Sequence, residues 1–406
     1  MADYRPYLPS EWHERFDEFV KVYEVHGSLG TQPPSLSLRT DPEVVEAWVR
    51  EVLEPGRLGG LWDATIRLKE MEREGVSAEI LFPDFGIPFE LYSPFMASAL
   101  GYPLRRVDEI DIGNFAYNRW LADQISVAPE RYSAQAVVRF DDVEAAMKEI
   151  RWAKEAGMGG VVLPVFDNDL PAFDPKFDPI WSLLEELDMP ANGHVVSTGI
   201  SQPSMIPIKS LPHPTAGFPL FLHSLWHHGR SMLAHMIWGG VLKRHPKMKF
   251  VMTELQSGWV IEQLASWDYS YDGSYLKRDI RDVLKVKPSE YFARQCYLGS
   301  SILSKAEVDA RELIGVGKMM FGVDYPHHEG SWNGGTIDYI QATFGAAQVP
   351  EDDARRILGD NAIEVFGFDR DALQKVADTI GPRPSQVLTP PQTDLFPRGD
   401  VHRPLN

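Results

Sequence analysis

The feature that most constrains this chain is a repeated unit: amphipathic helix, glycine stop, short apolar strand. In "LWDATIRLKEMEREGVSAEILFPDF" a helical period ends at Gly75 and gives way to an apolar strand over 78–82, closed by Pro83. "DDVEAAMKEIRWAKEAGMGGVVLPV" repeats the order, with Asp141 as the expected helix cap. Helices over 178–187, 232–244 and 258–269 precede "MPANGHVV", "KMKFVMTEL" and "QCYLGSS", and "KAEVDARELIGVGKMMFGVD" closes the series. The spacing gives seven strands, near residues 79, 134, 160, 190, 249, 296 and 319. Strands this short, apolar on both sides and separated by helices belong to a parallel sheet buried on both faces.

Such alternation over some 300 residues without a composition break predicts the α/β class and one (β/α)8 TIM barrel. A doubly wound open sheet is the second choice, but no glycine-rich phosphate loop supports it. The first barrel strand is missing or atypical, because residues 1–60 are polar, proline-broken and irregular. The barrel is expected over 1–378, with an active-site insertion at 196–221 and helices over 351–366 capping it. The last 26 residues, 381–406, hold six prolines, and the extended tail is expected over 379–406. Its Leu395 and Phe396 still need burial, which predicts a homodimer with the tail crossing to a partner.

Composition narrows the function classes. A formal charge of −18 disfavours general affinity for nucleic acid, whose phosphates would be repelled. The single cysteine, Cys296, rules out an internal disulfide and suits a reducing cytoplasm. No apolar run reaches transmembrane length, and the amino terminus carries no signal-like pattern. A small-molecule substrate remains the natural partner.

Barrels of this kind carry chemistry at the carboxyl ends of their strands. The strand near 190 ends at His194, that near 249 at Glu254 and that near 319 at Asp324, all metal-ligand or acid–base types. Each also has a structural use. His194 can be a hydrogen-bonded loop histidine, Glu254 can pair with a rim arginine, and Asp324 can cap the turn before Tyr325-Pro326. Three independent structural roles would not all fall on strand ends. Nitrogen and oxygen donors of this kind fit a divalent ion, zinc first and manganese second.

The stretch "FLHSLWHHGRSMLAH" puts His223 and His227 on one helix face, but HxxxH without an intervening glutamate is a weak zinc signal. A polar lid helix is the better reading. The long insertion before it is expected to cover the site. By residue type, His223, His227, Arg230, Trp226 and Trp332 are candidates to line a pocket for an aromatic or carboxylate ligand.

"GVSAEILFP", "MPANGHV", "GGVLKRHPKMKFVMTELQSGW", "MMFGVDYPHHEG" and "ILGDNAIEVFGFD" together resemble the amidohydrolase-2 branch of the metal-dependent amidohydrolases, in the family's order and across most of 61–369. That branch includes aminocarboxymuconate-semialdehyde and resorcylate-type decarboxylases and some lactone hydrolases. The resemblance implies that His194 and Asp324 bind the metal, with Asp324 also moving a proton. It places Thr253-Glu254 where many relatives carry a catalytic histidine. His327 and Glu329 fall in the family's "DYPHxEG" pattern, as groups that shape the mouth and, for His327, move protons. One departure stands out. Relatives open with a strand ending in H-x-H or D/E-x-H, which supplies two ligands, and this chain has no H-x-H; His13 and His26 are poor substitutes. The metal is therefore expected to be weakened or absent in the chain as given. An upstream segment encoding such a strand is expected to restore both stability and metal.

Two functions compete. The first is an enzyme: hydrolysis of a C–O or C–N bond in a small carboxylate, lactone or aromatic compound through metal-activated water, with non-oxidative decarboxylation as the alternative. The second is a barrel that has lost its metal and serves as a binding subunit.

Overall fold

The structure is a computed structural model. It describes all residues except 27–40, 84–85, 92–96, 98–104, 165, 167–169, 196–212, 274–276, 302, 328–329 and 393–406. The described residues form seven strands: β1 Glu79–Leu81, β2 Tyr132–Val137, β3 Gly160–Val162, β4 Ala191–His194, β5 Phe250–Thr253, β6 Cys296–Ser301 and β7 Met319–Gly322. They form one sheet in strict sequence order, every neighbouring pair parallel. That is the wall of a TIM barrel, opened on one side. β1 and β7 are its two ends and do not pair with each other.

Local chemistry explains the units. Helix Ala64–Glu74 starts where the Asp63 carboxylate accepts from Thr65 N (2.8 Å) and Ile66 N (3.1 Å). It stops at Gly75, whose φ of +72° is open to a residue without Cβ. The next helix of the series, Val143–Glu155, is capped by Asp142 rather than Asp141. Asp142 is the residue whose side chain reaches Ala145 N (3.0 Å), whereas Asp141 is drawn back to Arg139 Nε (2.8 Å).

Strands β2 to β5 are buried at every residue, and β1, β6 and β7 in part, but the inward side is less apolar than the sequence suggests. Gln135 and Asn192 meet inside the barrel, Asn192 Nδ2 donating to Gln135 Oε1 at 2.7 Å with both residues fully buried. Gly160 makes room for them: a Cβ there would lie 2.1 Å from Gln135 Oε1. The apolar mass sits between sheet and helices, where Trp181, Phe177, Phe140 and Ile150 interlock.

On the open side an irregular segment packs at the mouth. Turn Arg57–Leu61 lies against the loop after β7, where Tyr325 Oη donates to Arg57 O and the Arg67 guanidinium stacks 5.0 Å from the Tyr325 ring centroid. Arg67 Nε in turn donates to Glu79 Oε2 at the start of β1 (2.6 Å). Only glycine fits at 60, since a Cβ there would meet Tyr325 Oη at 2.5 Å. Among the described residues no strand lies between β1 and β7, in keeping with a missing or atypical first strand, and this segment bridges the two edges.

Two boundaries differ from expectation. Residues 214–221, read as insertion loop, already belong to helix Pro214–Ile237, because Pro214 suits a first helical turn. The rest of the insertion, 196–212, lies outside the described residues. The tail also begins later than 379. Helix Arg370–Ile380 runs through that point, and a short helix Pro384–Val387 buries Val387. Gly345 lets this segment approach closely, as a Cβ there would lie 2.6 Å from Thr389 O. Leu395 and Phe396 fall outside the described residues. Among the described residues no helix is long and apolar enough to cross a membrane.

Candidate active site

Register brings the expected residues together. His194, the last residue of β4, is the neighbour of Thr253 on β5, and Thr253 is the neighbour of Gly299 on β6. Glu254 follows directly, its N–H still on the ladder (2.8 Å to Gly299 O) while its φ turns to +61°. The left-handed turn redirects the chain at the barrel mouth, and the Glu254 carboxylate lies 3.0 Å from His194 Nε2. Asp324, two residues past β7, has φ +59°. Aspartate tolerates that conformation better than most residues. His194, Glu254, Asp324 and His327 border one cavity of about 1100 Å³, together with Thr253 and Ser300.

The site is held from outside by groups that the strand-end reading did not single out. Phe82, just past β1, stacks on the His194 ring (4.9 Å between centroids, 13° between planes) and fixes its orientation. The loop after β5 carries two left-handed residues, Glu254 and Gln256 (φ +58°), and is pinned on both sides. Glu307 accepts from Ser257 N and Gly258 N with one oxygen, and from Ser304 N and Ser304 Oγ (2.9 Å each) with the other. Arg230 donates from Nε and Nη2 to Leu255 O (3.1 and 3.0 Å) and lies between the rings of Trp226 and Trp259 (5.4 and 5.3 Å). Burial holds its pKa below the usual arginine value, with the Glu307 charge acting in the opposite sense. The Glu307 clamp had a sequence signal in "SKAE", a capping box; the Phe82 stack had none.

The remaining candidates are placed differently. Arg230 serves the loop, and neither it nor His223, His227 or Trp332 borders the cavity of His194 and Asp324. Trp332 packs on the small apolar cluster of Val45, Trp48, Val52 and Leu58. Glu329 lies outside the described residues. The backbone of Asp324 does serve a turn, its carbonyl accepting from His327 N at 2.9 Å, and the residue borders the cavity. His13 is used locally, its Nε2 3.0 Å from Leu8 O.

For a metal ion the donors have the right chemistry but not the right gathering. Among the described residues no three His, Cys, Asp or Glu groups come close enough to hold one, and His194 Nε2 is already engaged by Glu254. These residues alone do not make a finished metal site.

An open parallel α/β barrel with acid–base groups at the carboxyl ends of its strands defines the class: a TIM-barrel enzyme. The chain belongs to the amidohydrolase family, whose profile matches residues 62–368. It is 24% identical over 318 residues to the gamma-resorcylate decarboxylase of Rhizobium sp., covering 75% of this chain and 86% of that one. The gamma-resorcylate decarboxylase of Polaromonas sp. is 23% identical over 265 residues, 62% of this chain and 76% of that one. Among solved structures, the 5-carboxyvanillate decarboxylase of Novosphingobium aromaticivorans, with bound manganese, superposes with a TM-score of 0.58 at 20% identity over 87% of this chain and 93% of that one. The 2,6-dihydroxybenzoate decarboxylase of Rhizobium gives 0.54 at 22% identity, over 74% and 87%.

Proposed function

We propose that this protein is a carboxy-lyase that releases CO₂, without oxidation, from an aromatic carboxylic acid bearing a hydroxyl next to the carboxylate. The observation that carries the reading is the mouth of the barrel, where the His194–Glu254 pair and Asp324 border one cavity. The relatives named above, decarboxylases of resorcylate, dihydroxybenzoate and carboxyvanillate, favour this reaction over the hydrolysis expected first.

The chemistry needs a proton delivered to the ring carbon that carries the carboxylate. A C–H bond forms there, the C–C bond to the carboxylate breaks, its electron pair restores the aromatic ring, and CO₂ leaves. The neighbouring hydroxyl raises electron density at that carbon. Asp324 is assigned the proton transfer, and the His194–Glu254 pair holds a second exchangeable proton beside it. His327, on the same wall, shapes the mouth. A divalent ion, with manganese ahead of zinc after the relatives, would have His194 and Asp324 as protein ligands. The described donor set is incomplete for such an ion.

The test is to incubate the chain with 2,6-dihydroxybenzoate, a carboxyvanillate, and an aryl lactone, with and without added Mn²⁺. Release of CO₂ and the matching phenol supports the reading. Ring opening of the lactone without CO₂ release from either acid would favour hydrolysis. Saturable binding of the acids without turnover would favour a binding subunit. Self-association as a dimer belongs to the same proposal, and light scattering at micromolar concentration is expected to give twice the chain mass.

A further inference from the structure

We propose that Thr253 is a specificity-determining residue: its hydroxyl takes a ring hydroxyl of the substrate, whose ring lies flat on the bare backbone of Gly299 and Gly322. The inference rests on the reading of the substrate as a hydroxylated aromatic acid.

Register puts these residues on one face of the sheet. A Cβ at Gly193 would meet Met232 Cε of helix Pro214–Ile237 at 2.6 Å, so position 193 faces the helices. By strand alternation its neighbours Asn192 and His194 face the barrel interior. His194 pairs with Thr253 and Thr253 with Gly299, and residues paired across parallel strands share a face. Gly322 pairs with Ser301, two residues beyond Gly299, and therefore lies on that face too. His194, Thr253, Gly299 and Gly322 all border the cavity of the candidate site.

The two glycines leave the inner wall without side chains on adjacent strands. The atoms nearest a Cβ at 322 are backbone, Ser300 O at 3.3 Å and Ser301 Cα at 3.6 Å. Those nearest a Cβ at 299 belong to Thr253, with Oγ1 at 3.1 Å. Glycine inside a strand often marks close approach of a ligand, and a bare backbone surface suits the face of an aromatic ring.

Small residues on their own serve packing equally well; the Thr253 hydroxyl does not. Thr253 is only 9% exposed, yet its Oγ1 has no hydrogen-bond partner among the described residues. Buried hydroxyls are normally paired, because an unpaired one forfeits its bond to water. Valine would fill the same space and suits a strand, so packing gives no reason for the oxygen. The residue directly precedes Glu254, whose carboxylate meets His194, which sets the hydroxyl beside the acid–base pair. A hydroxyl both donates and accepts, so a phenolic hydroxyl satisfies it and a ring C–H does not.

The experiment titrates benzoate, 2-hydroxybenzoate and 2,6-dihydroxybenzoate into the parent chain, Thr253→Val and Gly299→Ala by calorimetry, with and without Mn²⁺, beside thermal midpoints and CO₂ release. In the parent, at least one added hydroxyl is expected to tighten binding about tenfold or more. Thr253→Val should erase one such gain, leave benzoate binding within about twofold, and keep or raise Tm, since valine buries no unpaired hydroxyl. Gly299→Ala should weaken all three acids about tenfold, because its methyl group stands where the ring lies. Affinity ratios among the acids that are unchanged in Thr253→Val would overturn the proposal. So would parent binding that ignores the ring hydroxyls, or no binding of any of the three. Ratios that depend on Thr253 without CO₂ release would overturn the decarboxylation reading alone and support the subsite.

Discussion

The Glu254 carboxylate lies 3.0 Å from His194 Nε2, although the two residues are 60 positions apart in the chain. Parallel pairing of β4 with β5 sets His194 opposite Thr253, and the left-handed turn at Glu254 brings its side chain back to the histidine. That geometry separates function from stability at one position.

Glu254→Gln is expected to lower turnover about 10²–10⁴-fold, the usual range for losing a positioned acid or base. Glu254→Gly should lose activity to the same degree. It should also gain about 1 kcal/mol of stability or lose none, because glycine relieves the left-handed backbone that a glutamate adopts only at a cost. Turnover assays beside denaturant midpoints check both. An unchanged rate in the glutamine variant would make Glu254 a structural residue.

Asp324→Asn keeps a side chain that tolerates φ +59° and keeps the backbone bond from His327 N. Its thermal midpoint is expected to stay within about 2 °C of the parent. Turnover should fall at least about 10²-fold, because an amide does not deliver the proton. A large fall in midpoint would instead mark Asp324 as a turn residue.

Glu307→Ala removes the acceptor for three backbone N–H groups, on Ser257, Gly258 and Ser304. Hydrogen bonds to a charged group contribute about 1.5–3 kcal/mol each, and buried donors left alone are costly. The expected loss is therefore about 3 kcal/mol or more in urea unfolding. Glu307→Gln keeps one acceptor oxygen and should lose less. Equal stability of both variants and the parent would remove Glu307 from the support of the Glu254 loop.

Cys296 is fully buried at the start of β6, and burial pushes its thiol well above the ordinary cysteine range. The native chain is expected to react with a thiol-specific reagent at least about 10²-fold more slowly than the unfolded chain at pH 8, since only the thiolate attacks. Stoichiometric labelling of folded protein within minutes would contradict that burial.

Much of this protein was legible before its structure. Strand spacing, helix stops such as Gly75 and the strand-end positions of His194, Glu254 and Asp324 follow from local periodicity, which each segment carries by itself. Residue type alone misled where contacts are long-range. Trp332 belongs to the packing of Val45 and Trp48, and Arg230 to the carbonyl of Leu255. Neither partner is near in sequence, so no spacing rule points to it. The polar Gln135–Asn192 contact inside the barrel was hidden for the same reason.

The sequence by itself determined the class of fold, the number and order of the strands, and which end of each strand carries reactive groups. Those depend on propensity and on the alternation of helix and strand. Only the tertiary structure decided that Glu254 closes on His194, that Phe82 stacks behind the ring, and that no described strand joins β1 to β7. Each of these depends on register and on the curvature of the sheet, which emerge only when distant segments share hydrogen bonds across the barrel.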